Sequence, residues 1–91
     1  MAETWASVTL DIIFTKEQRK ELKNFLIGKK GTDPMELTEE LKTLFRKWEK
    51  DLLEKGILPD YLAYAITYQL SRVGYDRMIF ELSKKKLDEV V

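Results

Sequence analysis

Near its start the chain alternates apolar and polar positions, and then it changes period. Between Thr4 and Phe14, Val8, Leu10, Ile12 and Phe14 alternate with Thr9, Asp11 and Ile13. This two-residue period, rich in β-branched side chains, predicts a strand over about 6–14. After Thr15 the spacing becomes helical. Thr15 and Gln18 make a T-x-x-Q capping signature, and Leu22, Phe25 and Leu26 form a short inward stripe on a helix over 16–27. Gly28 and Gly31 enclose Lys29 and Lys30 in a hinge.

Three start signals then coincide: Asp33 as N-cap, Pro34 at the first helical position and Glu36 two residues on. Leu37, Leu41, Leu44, Trp48 and Leu52 follow at helical spacing, flanked by Phe45 and Leu53. They predict one long helix over 33–55, about 33 Å at 1.5 Å per residue. Gly56 supplies a left-handed stop, with Ile57 placed to fold back on the preceding turn as in a Schellman motif. Pro59 and Asp60 open a helix over 59–73, and Gly74 breaks it. A last helix is expected over 76–90, with Ile79, Leu82, Leu87 and Val90 on one side. The alternation of Met78, Phe80 and Leu82 with Arg77, Ile79 and Glu81 leaves a short strand over 77–82 open as the alternative.

These elements describe an α+β, predominantly helical single domain over 1–91: one N-terminal strand, then about four helices packed around the 33–55 helix. A lone strand has unpaired backbone donors and acceptors and an exposed edge. Its partner is therefore either the 77–82 segment or the same strand of a second subunit. The second solution makes the protein a homodimer through the N-terminal strand.

Composition narrows the function classes. At 44% hydrophobic and 11% aromatic residues the chain has the material to fold. Its sixteen basic and sixteen acidic residues cancel, which speaks against a dedicated non-specific nucleic-acid or membrane-surface binder. With no Cys and no His, disulfides, thiolate or imidazole metal sites and Ser/His or Cys/His nucleophilic sets are excluded. The opening Met1–Trp5 lacks the basic and apolar regions of a signal peptide. No uncharged apolar run approaches the ~18 residues of a membrane span. A soluble, cytoplasmic protein is expected.

The strand–helix–helix order over about residues 7–52 resembles the ribbon-helix-helix family of small dimeric DNA-binding repressors. The resemblance rests on the alternating strand, on Leu22, Phe25 and Leu26, and on the break before a capped second helix. It implies an intersubunit strand pair whose outward side chains, here Thr9, Asp11 and Ile13, enter the major groove. Asp11 is an unfavourable neighbour for phosphates, and Ile13 reads little beyond a thymine methyl. The second helix's N-terminus, which the family sets against a phosphate, carries Asp33, Glu36, Glu39 and Glu40 here.

Lys16, Arg19, Lys20, Lys23, Lys29 and Lys30 outnumber Glu17 and Glu21 over 16–30, a possible nucleic-acid or acidic-partner face or simply the solvated side of a helix. The Gly28–Gly31 loop with Thr32 lacks phosphate-loop spacing. Glu36, Glu39 and Glu40 are explained by the helix dipole before any metal is invoked. No carboxylate pair sits in sequence that suggests a pocket, so no enzyme, cofactor or metal is expected. Between Asp60 and Arg72 there is no charged residue, and Tyr61, Tyr64 and Tyr68 share one helix face, with Arg72 and Tyr75 beyond. Tyrosine suits a surface that is wet when free and dry when bound. The expected function is a non-enzymatic protein–protein interaction module, a homodimeric regulator or inhibitor of a larger partner, with Tyr61, Tyr64, Tyr68, Arg72 and Tyr75 at the interface. The alternative is the dimeric DNA-binding regulator.

Overall fold

The computed structural model describes Leu10 and residues 13–84. Its elements are helices: α1 (Lys16–Ile27), α2 (Pro34–Arg46), α3 (Glu49–Glu54), α4 (Pro59–Val73) and α5 (Tyr75–Ser83). Among the described residues there is no strand, so the α+β expectation is corrected to an all-helical fold. Where the strand over 6–14 was expected, Leu10 and Ile13 have helical backbone, and the Phe14 N–H donates to the Leu10 carbonyl at 3.1 Å. The rest of that stretch lies outside the described residues. The physical reason is that Leu10, Ile13 and Phe14 also fall at helical spacing, and all three side chains are buried together. A helix satisfies its own backbone, so the need for a partner strand disappears, and with it the ground for a homodimer through that strand. The ribbon on which the DNA-binding resemblance depends goes too.

The described residues gather into two compact units. The first combines residues up to Lys30 with those from Val73 onward, and packs α1 on α5. Its core is Leu10, Phe14, Leu22, Leu26, Met78 and Leu82. The capping box opens α1: Thr15 Oγ1 accepts from the Gln18 N–H at 3.1 Å while Gln18 Oε1 accepts from the Thr15 N–H at 3.0 Å. Residues 77–82 are helical, as favoured over the strand. The helix expected over 76–90 leaves helical geometry at Lys84, and the residues beyond it, Leu87 and Val90 included, lie outside the described residues.

Gly74 separates α4 from α5 with φ +92° and ψ 155°, a conformation essentially restricted to glycine. An added Cβ there would meet nothing within 4 Å, so any penalty comes from the backbone alone. Gly74→Ala is expected to cost about 2 kcal/mol in urea unfolding. A loss below about 0.5 kcal/mol, the scatter of neutral surface changes, would show that the turn relaxes freely.

The second unit is Gly31–Arg72. Asp33 caps α2 by accepting from the Met35 N–H at 3.0 Å and the Glu36 N–H at 3.4 Å. The expected single helix over 33–55 is broken into α2 and α3 at Lys47–Trp48. The N–H groups of Lys47 and Trp48 donate three residues back, to Leu44 and Phe45, at 3.1 and 3.0 Å. This tightened turn carries Trp48 to φ −108° and ψ 21°, with its ring tilted 41° and 5.8 Å from that of Phe45. Leu44 and Phe45 before the break and Leu52 after it are all buried, while Leu53 is exposed. The expected Schellman closure is present: Ile57 donates to Leu52 and Gly56 to Leu53, each at 2.9 Å.

Helices α2 and α4 run antiparallel. Arg46 Nη2 contacts both Asp60 oxygens at 2.8 and 3.0 Å at one end. Towards the other, the Thr38 and Thr67 hydroxyls share a 2.9 Å hydrogen bond. Leu37, Leu41, Leu44, Phe45, Leu62, Ala63, Ile66 and Leu70 fill the interior.

Candidate functional site

Burying Leu62, Ala63, Ile66, Gln69 and Leu70 fixes the rotation of α4. The remaining face is turned outward, and it carries Tyr61, Tyr64 and Tyr68 at 69%, 59% and 60% exposure. Three tyrosines within about 10 Å of helix axis make an apolar surface tipped with hydroxyls. Leu58, just before the helix, and Met35 at the start of α2 are also exposed on the same unit. A groove of about 440 Å³ runs beside Tyr64, lined by Pro34, Met35, Thr38 and the Glu36 and Glu39 side chains.

Two of the rings are held by cations of the same unit. Lys42 Nζ lies 4.9 Å from the Tyr64 ring centroid. The Arg72 guanidinium lies 5.7 Å from that of Tyr68 and donates to its hydroxyl at 3.1 Å. Such contacts reduce the rotamer freedom the rings would lose on docking. The Lys42 ammonium also contacts Glu39 at 3.0 Å. That hydrogen bond, with a smaller contribution from Tyr64, raises Lys42 above the ordinary lysine value. The hydrogen bond to Tyr68 likewise raises Arg72. Both shifts favour the charged forms of these side chains.

The five residues singled out for partner binding therefore divide. Tyr61, Tyr64, Tyr68 and Arg72 share one helix of the second unit. Tyr75 belongs to the first unit, half-buried, with its hydroxyl donating to the Lys29 carbonyl at 3.1 Å. Sequence reasoning missed Met35, Leu58 and Lys42. Their signal was faint: Met35 stands outside the Leu37–Leu41 stripe, Leu58 precedes a proline, and Lys42 reaches Tyr64 only across two packed helices.

The six basic residues of 16–30 divide as well. Arg19 is 4% exposed, and its guanidinium donates to the Glu81 carbonyl and, at 3.4 Å, to that of Lys84, holding the end of α5. A cation there also complements the helix dipole. Lys29 lies 5.2 Å from the Phe25 ring centroid, and Lys30 contacts Asp76 at 3.4 Å. Lys16, Lys20 and Lys23 remain together on one face of α1.

On α5, the expected apolar side was Ile79 and Leu82. The buried residues are Met78, Glu81 and Leu82, while Phe80 is exposed. The Glu81 side chain is fully buried, with Arg77 at 2.7 Å on one oxygen and Lys84 at 3.0 Å on the other. Among the described residues, no helix is long and apolar enough to cross a membrane, and no group of three or more acidic side chains is placed to hold a metal ion. No protein-family model matches the chain, and no curated protein or solved structure is similar to it.

Proposed function

We propose that the protein is a non-enzymatic interaction module that docks a larger protein partner through the tyrosine face of α4, and regulates that partner by occupying its surface. The observation that carries this reading is the triple exposure of Tyr61, Tyr64 and Tyr68 on a helix whose opposite side is fully used by its own core. Large aromatic side chains left in water on one face, rimmed by charge, are the composition of a docking surface. Lys42 and Arg72 add to it, because each holds a ring in place before any partner arrives.

Tyr64→Ser with Tyr68→Ser is expected to weaken partner capture, or self-association if a second copy is the partner, by at least tenfold. Cooperative thermal unfolding should be retained, since both side chains lie outside the core. Sedimentation across a dilution series, with capture assays on both proteins, measures this. Unchanged association in the double variant overturns the reading.

A further inference from the structure

The neutral total charge is unevenly divided. The described residues of the first unit hold eight Lys and Arg against four Asp and Glu, whereas Gly31–Arg72 holds six against eight. Part of the basic excess converges. Lys16, Lys20 and Lys23 of α1 line a cleft of about 180 Å³ with Leu82, Ser83 and Lys84 at the end of α5. Buried Arg19 forms its floor.

Local stability does not explain this arrangement. Lys16 opens α1, where a cation opposes the helix dipole. Lys16 and Lys20 are four residues apart, Lys20 and Lys23 three, so both pairs are like-charge neighbours that weaken a helix. Among the described residues, no ion pair joins Lys16, Lys20 or Lys23 to a carboxylate. Local rules broken together, at a concave place, mark functional sites rather than solvated faces.

We propose that this cleft binds the oligophosphate group of a small ligand, free or attached to a nucleoside. Three ammonium groups, those of Lys16, Lys20 and Lys23, beside a Lys84 already shared with Glu81, border this space and match the charge of a chain of two or three phosphates. A single carboxylate would leave most of them uncompensated. A nucleic-acid strand would call for a longer basic tract and a net basic chain. Lys84 connects the cleft to Phe80: its Nζ lies 5.2 Å from the centroid of that ring, which is 56% exposed and offers a resting place for a base. This proposal is independent of the tyrosine face.

Calorimetric titration of the full chain at low salt, first with inorganic triphosphate and then with adenosine triphosphate, tests it. One-to-one saturable binding that weakens as salt rises is expected. The triple change Lys16→Gln, Lys20→Gln and Lys23→Gln should weaken it at least tenfold, and Lys20→Gln alone about threefold. Lys47→Gln with Lys50→Gln, which removes charge from the other unit, should leave it unchanged. The triple variant should melt no lower than the wild type, because it removes like-charge neighbours. Equal affinity for the two probes identifies a free oligophosphate. Tighter adenosine triphosphate binding that Phe80→Ala abolishes identifies the nucleoside-linked form. Absence of saturable binding, an equal loss in the control variant, or far tighter binding of a twenty-nucleotide strand overturns the proposal.

Discussion

Phe45→Ala is expected to lower the unfolding free energy by about 4 kcal/mol, measured by urea denaturation. Phe45 is fully buried in the Gly31–Arg72 unit and lies against Trp48 at the α2–α3 break. Its loss removes the transfer free energy of the ring and leaves a cavity that two short helices joined by a tightened turn are poorly able to fill. The tilted pairing with Trp48 adds about 1 kcal/mol beyond burial. Leu53→Ala, in the next helix but exposed, is the matched control and should stay within about 0.5 kcal/mol of wild type. If the two variants cost the same, Phe45 does not anchor the core of this unit. Small domains have roughly 5–15 kcal/mol in total, so the variant keeps little reserve.

Stripping the cations from Glu81 should be nearly as costly. With its carboxylate buried between Arg77 and Lys84, Arg77→Ala together with Lys84→Ala leaves a charge inside the protein without these two neighbours. Breaking a buried pair from one side costs about 3–5 kcal/mol. Because both cations are nearly half exposed and screened by solvent, about 3 kcal/mol is the expected loss here. The reverse change is predicted to be mild. Glu81→Met removes the buried charge and frees two cations that already reach water, so it should fall within about 1 kcal/mol of wild type. Added to the double variant, Glu81→Met should restore most of what was lost. A thermodynamic cycle over the three variants and the wild type measures the coupling. Glu81→Met costing as much as the double change would show that the carboxylate itself, not its desolvation, holds α5 in place.

Helix boundaries with chemical signals were legible in the sequence. Thr15 with Gln18, Asp33 with Pro34, and Gly56 with Ile57 each specify a cap whose hydrogen bonds form as expected. The outward tyrosines of α4 were legible for a related reason: a helix with no charge between Asp60 and Arg72 must bury its most aliphatic side first. What failed lacked such signals. Leu10, Ile13 and Phe14 satisfy a helical spacing as well as their neighbourhood satisfies a strand's, and a short apolar run cannot decide between the two. Lys47–Trp48 contains neither Gly nor Pro, so no residue there announces the break. Of the six basic residues over 16–30, which point into a cleft and which hold a helix end depends on α5, some sixty positions away in the chain. Arg19 and Lys20 are adjacent in sequence and both line the cleft, yet one is buried at its floor and the other is exposed.

The two units also differ in the order in which a growing chain can complete them. Gly31–Arg72 draws its buried residues, from Leu37 to Leu70, from one continuous stretch, so its contacts close over short loops and favour fast folding. The first unit cannot close until Tyr75–Ser83 has been made, because α1 packs on α5. During synthesis, Leu22 and Leu26 emerge early and wait uncovered while the intervening unit assembles. At twelve residues α1 is marginal as an isolated helix, so what the Thr15 capping box begins becomes a stable element only when its partner leaves the ribosome.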